Sequence, residues 1–112
     1  MRATLKQNRD FKRLYAKGRS AVSPVVVVYC RRSPTGTGRV GFTVSTKLGG
    51  AVRRNRIRRR LREVYRLALP RLSPGWDMIL VARGRTCAAP FPALQSAFQR
   101  CCRELGLWRD EP

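Results

Sequence analysis

Residues 50–66 read Gly50-Ala-Val-Arg-Arg-Asn-Arg-Ile-Arg-Arg-Arg-Leu-Arg-Glu-Val-Tyr-Arg66. Ile57, Leu61, Val64 and Tyr65, continued by Ala68, recur at helical spacing and form one apolar stripe. Gly49 and Gly50 break the chain before the stretch and Pro70 stops it, so a helix is predicted over 51–69. On its N-terminal side, residues 39–45 alternate: Val40, Phe42 and Val44 on one face, Gly41, Thr43 and Ser45 on the other. That is a half-buried strand. On its C-terminal side, residues 77–82 carry Met78-Ile-Leu-Val81, apolar on both faces as in an interior strand. A strand, helix, strand unit in mid-chain predicts a mixed sheet with helices packed against it.

Working outward, residues 21–30 contain Val25 to Val28, a β-branched run that signals a further strand, with Pro24 at its start or on an edge. Val26, Val28 and Cys30 can face a core; Val25, Val27 and Tyr29 then point the other way, onto a face that something must cover or that binds a partner. Residues 31–38 form a loop, and this strand is expected to pair with 39–45 as a hairpin. Asn8-Arg9-Asp10 can cap a first helix that ends at Gly18 and presents Phe11, Leu14 and Tyr15 on one face. A last helix is expected over 93–105, facing Leu94, Ala97, Phe98, Cys101, Cys102 and Leu105 inward. The expected fold class is α+β, a single-domain αβ sandwich over residues 1–112, in the order α-β-β-α-β-α.

Charge restricts the partners. Twenty-five Lys and Arg oppose six Asp and Glu, a formal net charge of +19 on 112 residues. Self-repulsion of that size calls for a polyanion. No apolar run is long enough to span a bilayer, the first ten residues lack a signal-peptide apolar segment, and the basic helix has too narrow an apolar stripe for a membrane-surface element. The reading is cytoplasmic, with no membrane partner. Only four of the basic residues are lysines; arginine grips phosphate bidentately and stacks on bases. Cys30, Cys87, Cys101 and Cys102 show no Cys-x-x-Cys spacing and are read as small apolar side chains rather than as metal ligands or disulfides.

Eight arginines fall between Arg53 and Arg66, against one acid, Glu63. Arg54/Arg58, Arg58/Arg62 and Arg62/Arg66 are i, i+4 pairs, each costing an isolated helix about 0.2–0.5 kcal/mol. The alternative is a solvated basic face; the density of arginines and the lack of compensating Glu favour a nucleic-acid contact, in which docked phosphates remove that cost. Asn55 among the arginines can cap a helix, hydrogen-bond a base or backbone, or bind a hydrated metal ion.

Arg54-Asn55-Arg56, preceded by Gly50-Ala51-Val52 and followed by Ile57-Arg58-Arg59-x-Leu61-Arg62-Glu63, resembles the signature of the bacterial ribonuclease P protein subunit. Asp10-Phe11 with Tyr15 and Gly18, residues 40–49 from Val40 to Gly49, and residues 77–83 are similar to other parts of that family, in order. The resemblance implies a mixed sheet with a left-handed βαβ crossover through the arginine helix. It implies that Arg53, Arg54, Asn55, Arg56, Arg58, Arg59, Arg62 and Lys47 meet the catalytic ribonuclease P RNA in a 1:1 particle. It further implies that a cleft lined by Phe11, Tyr15, Val27 and Tyr29 holds the 5′ leader of precursor tRNA. The alternative role of Phe11 and Tyr15 is packing on the sheet as core. The RNA would use Mg²⁺ to cut; the protein would hold none tightly, Asn55 being its one candidate metal contact. Thr46 stands where the family usually has Lys or Arg.

RNA hydrolysis by protein side chains needs acid–base groups or a carboxylate metal cluster. The chain has no histidine, and Asp10, Glu63, Asp77, Glu104, Asp110 and Glu111 are scattered. Gly36-x-Gly38 lacks the context of a nucleotide loop. An accessory subunit of an RNA enzyme is therefore expected. The competing classes are a structural RNA-binding protein, such as a ribosomal protein, and a duplex-DNA binder.

Overall fold

The computed structural model describes residues 3–5 and 8–111. In chain order the elements are β1 (Ala3–Thr4), α1 (Asn8–Lys17), β2 (Arg19–Val22), β3 (Val26–Arg32), β4 (Arg39–Thr43), α2 (Ala51–Ala68), β5 (Trp76–Ala82) and α3 (Phe91–Glu104). Single 3₁₀ turns, Thr46–Leu48 and Leu69–Arg71, flank α2. The strands form one mixed sheet in the order β1-β4-β5-β3-β2. β5 pairs parallel with β4 and antiparallel with β3. The α+β class and the order α-β-β-α-β-α hold, with two additions: the two-residue β1 on the edge beside β4, and β2. The family's crossover corresponds to β4–α2–β5.

Two expectations are corrected. First, residues 21–30 are not one strand. Ser23 folds the chain back: its Oγ accepts from the amides of Val25 (3.2 Å) and Val26 (3.0 Å) and donates to the Val26 carbonyl (2.7 Å). Pro24 sits inside this turn, between the antiparallel strands β2 and β3. Val25, in the turn, packs on the main core instead of on the opposite face. Second, β3 and β4 do not form a hairpin, because β5 lies between them. β5 is apolar on both faces and is least exposed where both of its edges are paired and both faces covered. The helix boundaries shift slightly: α2 stops at Ala68 and α3 begins at Phe91. Asn8 is already helical, so the N-cap of α1 lies outside the described residues.

The sheet has two unequal sides. Val26, Val28, Cys30, Met78, Leu80 and Ala82 face α2 and α3, where Ile57, Leu61, Val64, Leu94, Phe98 and Cys102 complete the main core. On the other side α1 packs on the sheet, joined by Leu5 just after β1. The small core there is Leu5, Leu14 and Ile79, with Phe11, Tyr29 and Val81 packed around them. Leu14 is the buried peg of α1; truncating such a leucine costs about 2–5 kcal/mol. Gly41 is the notch beside it, since a methyl there would lie 2.6 Å from Phe11 Cζ. All four cysteines are free thiols, three of them buried.

Candidate nucleic-acid interface

The pairing register shows what α1 leaves open. One row across the sheet on its side is Gly41, Ile79, Tyr29 and Ser20; the next is Thr43, Val81, Val27 and Val22. Phe11 and Leu14 sit on the first row. Over the second row α1 supplies Tyr15, whose hydroxyl hydrogen-bonds Thr43 Oγ1 at 2.8 Å. Tyr15 also stands edge-on to Tyr29, with ring centroids 4.8 Å apart and planes at 88°. Val27, Val81 and Thr43 stay half-buried and Val22 exposed, making an apolar shelf with two tyrosines along one wall.

Of the residues expected in the cleft, Tyr15, Val27 and Tyr29 meet on this shelf. Phe11 adjoins it on the first row, half-buried, with its ring over Gly41 and its centroid 6.5 Å from that of Tyr15. The shelf also includes Thr43, Val81 and Val22, which the sequence reading did not select. Thr43 lay on the second face of an alternating strand and Val81 in a strand apolar on both faces, but only the register places them beside Val27.

The arginine motif divides. Asn55, Arg58, Arg59, Arg62 and Arg66 fall at i, i+3, i+4, i+7 and i+11, along one flank of α2. Arg53 and Arg56 lie toward the other flank with Arg60, whose guanidinium donates to the Ala89 carbonyl and lies over the Phe91 ring at 5.9 Å. Arg60 thus ties α2 to the loop before α3. Arg54 Nε donates to the Gly49 carbonyl at 3.1 Å, fixing the turn into the helix. Lys47 is exposed on the 3₁₀ turn just before it, as is Thr46.

Asn55 lies within α2, whose N-cap is Gly50, so it does not cap the helix. Its Oδ1 accepts from Arg58 Nη1 at 3.1 Å. Arg66 is held by Glu63 through two hydrogen bonds, 3.0 Å and 2.6 Å. The Arg66 hydrogen bond draws the Glu63 carboxyl below the usual carboxylate range, with burial opposing. This leaves Arg58, Arg59 and Arg62 as the cations on that flank with no carboxylate partner among the described residues. The two surfaces adjoin at β4: Phe42 points toward Arg62, which lies over its ring at 5.9 Å, and the next residue, Thr43, points into the shelf.

A further contact fixes α1. Asp77 is buried at 2% exposure and accepts from the Arg39 amide (3.0 Å) and from Arg39 Nη2 (2.9 Å). Arg39 Nη1 reaches Asp10 of α1 at 3.3 Å. The Asp77 hydrogen bond raises the Arg39 guanidinium further above its ordinary value.

Comparison with known proteins gives a consistent picture. A family model described as Ribonuclease P matches residues 1–106. The chain is 39% identical over 101 residues to a Natranaerobius thermophilus protein named Ribonuclease P protein component, covering 90% of this chain and 88% of that one. It is 40% identical over 108 residues to a protein of the same name from Symbiobacterium thermophilum, covering 96% and 94%. Among solved structures, the Staphylococcus aureus RNase P protein superposes with a TM-score of 0.84 at 29% identity, covering 97% of this chain and 100% of that one. The Thermotoga maritima RNase P protein gives 0.78 at 26% identity, covering 88% and 94%.

Proposed function

Because the chain belongs to the ribonuclease P protein family, we propose that it is the accessory subunit of a tRNA 5′-maturing endoribonuclease, one protein bound to one catalytic RNA. The flank of α2 with Arg58, Arg59 and Arg62, joined by Lys47, Arg53, Arg54, Asn55 and Arg56, holds the catalytic RNA. The shelf of Tyr15, Tyr29, Val27, Val81 and Thr43 holds the single-stranded 5′ leader of precursor tRNA. The observation that carries this reading is the pair of surfaces adjoining at β4, one a row of arginines and the other an apolar shelf with two tyrosines. Aromatic platforms beside cations bind single strands, at about 1–3 kcal/mol per stacked base.

The protein contributes position and charge. Each arginine that neutralises a phosphate releases a counterion. The leader adds contact that mature tRNA lacks, so the subunit favours substrate over product. Mg²⁺ belongs with the RNA in this reading. The residues here do not fit a metal site: Asn55 is surrounded by arginines, and Asp10, Glu63, Asp77 and Asp110 are each ion-paired to arginine. Among the described residues no group of three His, Cys, Asp or Glu side chains could hold a metal ion. No step is therefore assigned to a metal on this protein, and cleavage is assigned to the RNA. The setting is the cytoplasm; no helix among the described residues is long and apolar enough to cross a membrane.

Reconstitution tests the reading. The protein, mixed with the ribonuclease P RNA of its own organism at low Mg²⁺, restores precursor-tRNA cleavage, and the protein alone cuts nothing. Absence of stimulation at every protein ratio overturns it.

A further inference from the structure

An apolar cavity lies on the other side of β4 from the shelf, beside the arginine flank. It holds about 270 Å³ and is lined by Thr4, Val40, Phe42, Tyr65 and Leu69 together with the exposed Arg62 and Arg66. Its lining is mostly apolar, which is unusual beside so many cations. Phe42 and Tyr65 stand edge to face, ring centroids 6.1 Å apart at 83°. The Arg62 guanidinium covers the Phe42 ring from outside. Of its lining the sequence reading selected only Arg62 as a site residue, and the cavity is separate from the leader shelf, since Phe42 points to the opposite face of the sheet from Thr43.

We propose that this cavity receives one unstacked nucleobase of the catalytic RNA. The inference rests on the reading of α2 as the RNA-binding helix. Three features select a base over other occupants. At about 270 Å³ the cavity is too small for an amphipathic helix. Its rim is cationic, continuing the row of Arg58 and Arg59, so a strand held there by its phosphates passes the opening. The formal net charge of +19 opposes seating a second copy of this chain. Arg62 is exposed and can withdraw to stack its guanidinium plane on the outer face of the base, with Phe42 beneath. Arg62 then acts twice, as a cation for the strand and as a lid on the base.

Phe42→Leu removes the aromatic floor and keeps the charge; Leu69→Trp closes the cavity from its other end. Binding of each full-length variant to the catalytic RNA is measured across a salt series, alongside dimethyl sulfate and carbodiimide mapping of base accessibility. The expected result is about a tenfold loss of affinity for each, within the range for one stacked base. The salt slope stays unchanged because no phosphate contact is lost. One nucleotide whose pairing edge the parent protein shields becomes reactive, while the other protections persist. Parent-like affinity and an unchanged map in both variants overturn the proposal, as does loss spread evenly over all protections. Failure of the parent protein to bind the RNA sinks the underlying reading instead.

Discussion

Arg39→Met severs the link between β5 and α1, and its cost can be worked from the geometry. Asp77 is almost fully buried, so its ionised carboxylate has lost most of its water. Two unit charges about 4 Å apart attract by about 4 kcal/mol at an effective dielectric of 20. Removing one partner of a buried pair costs about 3–5 kcal/mol. Two features lower that figure here. The Arg39 side chain is 26% exposed, and its backbone amide still donates to Asp77 Oδ1 after substitution. The outer contact to Asp10 is longer and partly exposed, and adds at most about 1 kcal/mol. The expected loss is therefore about 2–3 kcal/mol, or roughly 8–12 °C in Tm for a domain of this size. Asp77→Asn keeps the amide bond and discharges the site. The double variant should then be more stable than the sum of the single losses predicts, by about 2 kcal/mol. Urea unfolding of all four proteins closes the cycle. A loss below about 0.5 kcal/mol for Arg39→Met, or no coupling, would falsify the account of Arg39 as the clamp on α1.

Tyr29→Ala removes one wall of the shelf and should weaken precursor-tRNA binding about 5- to 30-fold while mature tRNA binds nearly as before; equal losses for both would remove the leader contact. Arg58→Ala should weaken association with the catalytic RNA and flatten the dependence of log K on log salt by about one unit. An unchanged slope would show that Arg58 meets no phosphate. Burial pushes the thiols of Cys30, Cys101 and Cys102 above their ordinary value of 9.0. A folded pKa raised above the unfolded one gives stability that is complete below the unfolded pKa and is lost as pH rises. Unfolding free energy should thus fall above pH 9, by up to about 1.4 kcal/mol per pH unit for each thiol. Cys102→Ala should shrink that slope, and the same slope with and without Cys102 would contradict its burial as a neutral thiol. Under native conditions an alkylating reagent should reach the half-buried Cys87 first.

The sequence was most legible where the deciding interactions are local. The stripe from Ile57 to Ala68 and the double-sided apolar run of β5 each predict their element because spacing along the chain is itself the cause. Partner choice between strands was not legible in the same way. Val26 to Val28 would satisfy β4 or β5 equally well as neighbours, and only the whole sheet, with β5 buried on both faces and paired on both edges, makes the choice. The turn at Ser23 was missed because a β-branched run downstream of Pro24 reads as one strand. The signal was the serine, whose hydroxyl can accept from amides two and three residues on.

The same distinction governs the candidate site. The arginine helix announced itself by composition, yet composition could not sort its members. Arg60 looks identical to Arg59 in the sequence, and the fold turns it toward Ala89 and Phe91 as a brace. Likewise Phe11 and Tyr15 share one helical face, but Gly41 lies under only one of them, so one ring sinks and the other stays at 38% exposure beside Tyr29. A side chain's chemistry says what it can bind, and the neighbour across the sheet decides whether it is free to do so. β4 makes both decisions at once. Its even residues seat Arg62 over Phe42, its odd residues receive Phe11 and Tyr15, and a one-residue slip of β4 against β5 would exchange the two surfaces.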